Sequence, residues 1–562
     1  MPKPSQKHIG TLLLGLIILI GLVVRLWSLQ GESFWLDEAY SFYQARNPFF
    51  LDANNPFKLT SFTQRLTFIR HILSDDIHPP FYYGQLGLWS LLGLSDWWMR
   101  LNSVLWGVLL IPAVYYLAKK FAPTSAVPLI AASLVAFSPF HVEMSIELRM
   151  YGLMAVLAAA SIYYLHTLLT NPAPLRSAWI GYTLSNLLMV YSQGVGFLWL
   201  VLQGLIYAVF ALQTWQGKRQ LPRTAKFWLL SQLLTIVAFL PWVALMLKGS
   251  RVRGSLNSIG LVTTYLKVPT IGELLSVPGH LLFNNAASFS YPSPALSTPP
   301  LILMAVWAVA LALSAIGLVA LRKRVTDLLL LAIPSVGALL LFYLISVVAK
   351  PIFIVRALIT ALPFFAILIA IGLVSVGQWF DRDRRSRAGA AIAATVLILL
   401  TSINFFGIFH GITTTNRTQW REASEVLSQQ LQPRDVVVVP YSSAGEFLLY
   451  NSVPRSSYNG VLIENLRMYS WDKARFLDTY GSDYSGFLRQ MNLDFGKDVQ
   501  LLLLTGDLED LEKNRPPNSR VWIVTSPGRT GEELPKLQQI VQQTKSRKAT
   551  HDFFRVTLSL YE

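Results

Sequence analysis

Cysteine is absent from this 562-residue chain. Disulfides, zinc–thiolate sites and a cysteine nucleophile are therefore excluded. Charge is also scarce, at 14% of residues against 53% hydrophobic. A soluble fold has no place to bury that many apolar runs, and the balance is that of a polytopic membrane protein. No small-residue cleavage site follows the first run, Thr11 to Val24; Arg25-Leu-Trp does, so the run reads as a retained helix. The turn Thr525-Ser-Pro-Gly-Arg-Thr-Gly-Glu-Glu533 lacks the Gly-Lys-Ser/Thr end of a phosphate-binding loop. No internal repeat or low-complexity tract is visible.

Aromatic and basic residues are plentiful. The 16 Trp and 22 Tyr suit a chain that crosses two membrane–water interfaces. A net charge of +16 raises nucleic acid as a partner. The basic residues nevertheless lie in short clusters between apolar runs, as the positive-inside rule distributes them, so nucleic acid is not expected.

Apolar spans are predicted over 10–27, 101–118, 125–140, 150–169, 177–191, 195–213, 227–246, 300–321, 327–348, 353–378 and 389–410. The expected fold is a polytopic all-α membrane protein of about 11 transmembrane helices, with 125–140 and 177–191 the shortest. Alternate loops carry Lys3 and Lys7, Lys119 and Lys120, Arg176, the group Lys218 to Lys226, Arg322 to Arg324, and Arg382 to Arg387. These loops are assigned to the cytoplasm, which places the N-terminus inside and the C-terminus outside a plasma (inner) membrane. Phe81 to Leu94 is apolar but short, and crossing there inverts every later cluster. It is read as a helix lying in the outer interface. Residues 1–410 then form the membrane domain, with 28–100 as a long first outer loop.

Beyond Gly411 the pattern changes. The stretch from Trp420 reads as a helix, followed by a turn at Gln432-Pro-Arg-Asp435 and then a buried strand of valines. Arg520 to Thr525 and Phe553 to Tyr561 read as strands, Gly531 to Thr544 as a helix, and 455–515 is unassigned. An extracytoplasmic α/β domain of about 150 residues (411–562) is long enough for its own core.

Four polar stretches fall on the outer side. They are Ser33-Phe-Trp-Leu-Asp-Glu-Ala-Tyr-Ser41, with Asp37 and Glu38; Ile77-His-Pro-Pro-Phe-Tyr-Tyr83, with His78, Tyr82 and Tyr83; Ser138 to Tyr151, with His141, Glu143, Glu147, Arg149 and Tyr151; and Lys350-Pro-Ile-Phe-Ile-Val-Arg356. Each has a plain reading alone: a solvated loop, a helix-starting proline turn, a local ion pair, or headgroup anchors. Acids and bases offered together on one side of a membrane point instead to a site. A weak hydroxyl nucleophile needs a placed base such as Asp37, and a leaving phosphate needs fixed cations such as Arg149, Lys350 and Arg356.

The ordered set R-L-W-S-L…W-L-D-E-A-Y-S, H-P-P-F-Y-Y, W-M-R-L-N-S-V-L-W-G-V-L, S-P-F-H-V-E…E-L-R-M-Y-G and V-R-A-L-I-T-A-L-P resembles the protein O-mannosyltransferase and aminoarabinose-transferase group of GT-C glycosyltransferases, bacterial type. The resemblance covers the first 410 residues in order and spacing. It implies transfer of a sugar from a polyprenyl-phosphate donor to an extracytoplasmic protein, lipid or glycan acceptor, with inversion. Asp37 and Glu38 would be the catalytic pair. Arg356, Lys350 and Arg149 would hold the donor phosphate. His78, Tyr82, Tyr83, Glu143, Glu147 and Tyr151 would line the donor and acceptor pocket. The family often has Arg-Tyr where Arg356 is followed here by Ala357, so a tyrosine contact is not expected at that point. No cofactor is implied. Asp37, Glu38, His78 and His141 lack compact metal-ligand spacing. Two alternatives share the membrane setting: a polysaccharide polymerase or ligase relying on Arg251, Arg253 and His280 in the loop 249–299, and a non-enzymatic transporter.

The topology is checked with single cysteines. Ser5→Cys is expected to resist an impermeant thiol reagent in intact cells and Ser546→Cys to react. The reverse pattern overturns the assignment of sides.

Overall fold

The structure is a computed structural model describing residues 6–29, 33–46, 78–123, 126–171, 176–219, 222, 224–248, 268–283, 300–349, 352–380, 388–413, 419–440, 444–451, 500–504, 519–525, 539, 541–542, 546–553 and 556–562. Lys3, Lys350, Arg251, Arg253, the cluster Arg382 to Arg387, and most of 455–515 and 531–544 lie outside the described residues. The chain divides into two compact units. One comprises Met1–Leu29, Arg70–Tyr82 and Arg100–Thr414; the other comprises Gln30–Ile69, Tyr83–Met99 and Thr415–Glu562.

The helices are α1 (Gln6–Ser28), α2 (Leu36–Arg46), α3 (Phe81–Trp89), α4 (Asp96–Phe121), α5 (Val127–Ala136), α6 (Pro139–Ile146), α7 (Tyr151–Thr170), α8 (Arg176–Ser192), α9 (Gly196–Lys218), α10 (Ala225–Lys248), α11 (Ile271–Phe283), α12 (Pro300–Ala320), α13 (Val325–Ala332), α14 (Ala338–Val348), α15 (Leu362–Phe380), α16 (Ala388–Thr413), α17 (Trp420–Gln430) and α18 (Ala444–Asn451). A π-turn at Ile333–Gly337 joins α13 to α14, and a 3-10 segment, Val355–Ala361, leads into α15. Among the described residues nine helical spans are long and apolar enough to cross a membrane, or ten if the bent pair α5 and α6 counts as one. The protein is thus a multi-pass membrane protein. Two of the expected spans take other forms. The span 125–140 ends at the start of a second helix: α5 and α6, together 127–146, are bent by 55°, because Pro139 cannot continue α5. The span 177–191 is the 17-residue α8.

In the span from Val355 to Phe380, 89% of an 18-residue apolar window is buried inside the molecule, and this span is the centre of the bundle. It packs on α12, α5 and α16. Small residues allow the closest approach. A Cβ on Gly372 would sit 2.0 Å from the Leu313 carbonyl oxygen, and one on Gly317 2.3 Å from that of Leu368. The two backbones therefore meet through reciprocal glycines. In a bilayer, where hydrophobic burial cannot drive helix association, such contact supplies the packing energy.

The break between α5 and α6 is pinned by side chains. Ser138 caps α6, accepting from the His141 N–H at 3.0 Å and donating to the Leu281 carbonyl at 2.7 Å. Arg25 of α1 is fully buried. Its guanidinium donates to the carbonyls of Gly21 (2.9 Å) and Ala136 (3.0 Å) and to Nδ1 of His141 (2.8 Å). Ala136 is the last residue of α5, so the cation satisfies a helix-end carbonyl that has no intrahelical partner.

Helix α11 was not anticipated within 249–299. Its start is a reciprocal capping box. The Thr270 hydroxyl accepts from the Glu273 N–H at 3.2 Å, and Glu273 accepts from the Thr270 N–H at 2.6 Å. The sequence Thr270-Ile-Gly-Glu273 has the spacing of that signature. Pro278 within the helix hides its periodicity.

The second unit contains a five-stranded sheet of β1 (Val436–Pro440), β2 (Gln500–Leu504), β3 (Val521–Thr525), β4 (Arg547–Phe553) and β5 (Val556–Tyr561), in the order β2-β1-β3-β5-β4. The first three strands are parallel; β5 pairs antiparallel with β3 and β4. The expected strand Phe553 to Tyr561 is therefore the second arm of a hairpin. Its partner β4 exposes alternate residues, as a polar edge strand should, and was missed for that reason. Asp435, at the end of the Gln432–Asp435 turn, is buried and receives two bonds from Arg520, at 2.8 and 2.6 Å, and one from the Trp522 indole at 3.0 Å.

Gly372→Val is expected to lower the melting temperature of the detergent-solubilised protein. Overpacking of this kind costs about 1–3 kcal/mol. An unchanged melt contradicts the reciprocal-glycine packing.

Candidate functional site

The stretch bearing Asp37 and Glu38 is a helix start. Trp35 is the cap residue of α2, and its N–H donates to Glu38 Oε2 at 3.3 Å. Glu38 is fully buried, whereas Asp37 is half-buried. The neighbouring carboxylates thus have different surroundings. Glu38 reaches back to an N–H that the helix cannot satisfy. Asp37 lies one residue earlier in the same first turn, where the helix dipole favours negative charge. The helix is seated by Phe34 and Phe42, both fully buried with rings 6.1 Å apart. Tyr40 meets Tyr83 edge-to-face at 6.5 Å.

A polar network unforeseen from the sequence lies around the residues just before α2. The Phe34 N–H donates to the Tyr450 hydroxyl at 2.5 Å, and that hydroxyl donates to Asp96 Oδ2 at 2.8 Å. Arg421 pairs with the same carboxylate, and its N–H donates to Ser33 Oγ at 2.9 Å. Burial opposes the Arg421 charge, but the adjacent Asp96 more than compensates and holds the guanidinium above its ordinary pKa. Single residues far apart in sequence gave no signal of this cluster. The visible hint was Trp420-Arg-Glu, a charged pair opening an amphipathic helix.

The other candidates belong to the membrane unit, apart from Tyr83. His78 is half-buried just before the two prolines that start α3; Tyr82 and Tyr83 are buried. Glu143 is half-buried on α6. Glu147 and Arg149 are both buried in the turn between α6 and α7, where the Arg149 N–H donates to the Glu147 carbonyl at 2.7 Å. The Ser103 hydroxyl donates to the Arg149 carbonyl at 3.4 Å. Tyr151 is the first residue of α7 and is buried. Arg356 is half-buried on the 3-10 segment, which packs against α7. The elements carrying Tyr151 and Arg356 are therefore neighbours. Lys350 lies outside the described residues. His141 is fully buried beside Arg25, so its position is explained by the helix break. Among the described residues no group of three His, Cys, Asp or Glu could hold a metal ion.

Comparison with known proteins bears on the fold. The whole-chain fold is similar to that of ArnT from Cupriavidus metallidurans in the apo state, with a TM-score of 0.56, 13% identity and 98% of each chain covered. It is also similar to the same protein bound to undecaprenyl phosphate, with a TM-score of 0.53, 13% identity, and 99% of this chain and 98% of that one covered. The apo oligosaccharyltransferase of Archaeoglobus fulgidus matches with a TM-score of 0.52 and 12% identity, over 93% of this chain and 70% of that one. The fold is that of the GT-C glycosyltransferases. Within it, residues 77–244 match the family described as dolichyl-phosphate-mannose-protein mannosyltransferase. None of the curated protein sequences compared with it matches.

Glu38→Gln keeps an acceptor for the Trp35 N–H, whereas Glu38→Ala removes it. Loss of an N-terminal capping acceptor costs about 1 kcal/mol. Faster hydrogen exchange in α2 is expected for the alanine variant and near wild-type exchange for the glutamine variant. Equal behaviour contradicts the capping role.

Proposed function

We propose that this chain transfers a sugar from a polyprenyl-phosphate donor to a hydroxyl-bearing acceptor outside the cytoplasm, with inversion at the anomeric carbon. Asp37 is the general base. The observation that carries this reading is the unequal pair in the first turn of α2: Glu38 is fully buried on the helix cap, and Asp37 is half-buried beside it. The match of residues 77–244 to the family described as dolichyl-phosphate-mannose-protein mannosyltransferase supports the donor class, as does ArnT bound to undecaprenyl phosphate.

In the proposed reaction the acceptor oxygen forms a bond to the anomeric carbon as the bond from that carbon to the phosphate oxygen breaks. The acceptor proton passes to an Asp37 carboxylate oxygen, and the lipid phosphate leaves as an anion. A placed carboxylate lowers the barrier to this proton transfer. Fixed cations stabilise the charge that grows on the phosphate. Arg356 has that role, helped by Lys350 and Arg149. Its planar fork can grip two phosphate oxygens where lysine offers only a point charge. Tyr82 and Tyr83 line the path of the apolar lipid, while His78, Glu143, Glu147 and Tyr151 form the polar walls for sugar and acceptor. The acceptor is a protein, lipid or glycan.

The test uses purified full-length protein and a panel of undecaprenyl-phosphate hexoses and pentoses. Asp37→Asn is expected to lower turnover by about 10² or more with undecaprenyl phosphate binding retained. Arg356→Lys should be impaired and Arg356→Ala more so, in maximal rate as well as in apparent donor affinity, because phosphate charge rises in the transition state. Normal transfer by Asp37→Asn removes the base from the scheme. Wild-type kinetics in Arg356→Ala move the phosphate contact elsewhere, with Arg149 the next position to test.

A further inference from the structure

We infer that the C-terminal domain is the positioning device for the catalytic helix, acting through Arg421 and Tyr450, and this inference rests on Asp37 being the base. The domain's first two helices close on the residues immediately before α2 from one side. Tyr450 on α18 accepts the Phe34 N–H at 2.5 Å, and Arg421 on α17 donates its own N–H to Ser33 Oγ at 2.9 Å. Both side chains end on one carboxylate, Asp96, at the start of α4: Tyr450 at 2.8 Å, and Arg421 as an ion pair. The Arg421 guanidinium also lies over the Tyr450 ring, 5.9 Å from its centre. Asn451, on the same helix as Tyr450, locks α18 to α17 by donating to Ser424 Oγ at 2.9 Å.

The chemistry of these contacts selects for geometry. Ser33 and Phe34 precede the cap residue, so their backbone sets where the first turn of α2 begins and hence where Asp37 lies. A backbone N–H held by a phenol that is itself held by a carboxylate has little freedom to shift. General-base catalysis is sensitive to such shifts, since proton transfer needs the base within hydrogen-bond reach of the acceptor. Three chain segments, 33–34, 96 and 421–450, are joined by few bonds, and one buried carboxylate terminates two of them. Asp96 itself is buried, which strengthens the bonds that end on it.

The inference predicts a loss of turnover without loss of donor binding. Tyr450→Phe removes one hydroxyl and preserves the ring. In the full-length protein, hydrogen exchange across 33–46 is expected to rise about tenfold while the strands 436–440 and 521–525 exchange as in the wild type. Unchanged exchange across 33–46 overturns the inference. So does a loosening that extends to the sheet, because Tyr450 is then merely structural. With the undecaprenyl-phosphate sugar that the wild type transfers, Tyr450→Phe and Arg421→Gln should lower kcat about tenfold or more at near-constant donor KM, and Arg421→Lys should recover part of the loss. Adding Tyr450→Phe to Asp37→Asn should cost nothing further, since the tyrosine acts through that base. Full additivity overturns the inference. Normal turnover by Asp37→Asn removes the base itself. Normal turnover by Tyr450→Phe beside an inactive Asp37→Asn removes only the positioning role.

Discussion

Hydrocarbon offers no partner to a backbone carbonyl, so a helix that breaks inside a membrane protein must be satisfied by side chains. In this chain that constraint falls on the junction of α5 and α6. Pro139 ends one helix, Ser138 starts the next, and Arg25 reaches from α1 to bond the orphaned end at Ala136. An intramembrane arginine is costly to bury and is kept where it faces the bundle interior. The turn after α6 carries Glu147 and Arg149, so placing these candidates depends on a cation far from them in sequence.

A second constraint governs the other end of the proposed chemistry. Two adjacent carboxylates in a helix's first turn cannot share one environment. One turns back to the cap and is buried; the other remains accessible at its side. The same physics that begins α2 thus gives Glu38 a capping role and leaves Asp37 half-buried, as its proposed role as base requires. The C-terminal domain acts on the residues just upstream of that turn, through a phenol, a guanidinium and a shared carboxylate.

Much of the membrane fold was legible because its signals are local. A run such as 353–378 or 389–410 is apolar along its whole length and must be helical to satisfy its backbone in lipid. The valines of 436–439 read as a buried strand on the same grounds. The misses have equally physical causes. The proline in α11 obscured its period even though Thr270 and Glu273 announced its start. Among the described strands β4 is at the edge of the sheet, and it is polar as an edge strand should be. Pro139 was visible, but whether it kinks a span or divides it depends on what pairs the freed carbonyls.

The site divides in the same way. The sequence by itself determined which residues are candidates for the proposed chemistry, because acids, bases and aromatics are conspicuous in so apolar a chain: Asp37, Glu38, Glu147, Arg149 and Arg356 all stood out. Only the tertiary structure decided which of two neighbouring carboxylates is buried, and which distant residues hold the segment before them. Arg25 with Ala136, and Tyr450 with Phe34 and Asp96, are pairings across long stretches of chain. No spacing rule encodes them. They arise because buried polar groups must find partners, and folding alone determines which are within reach.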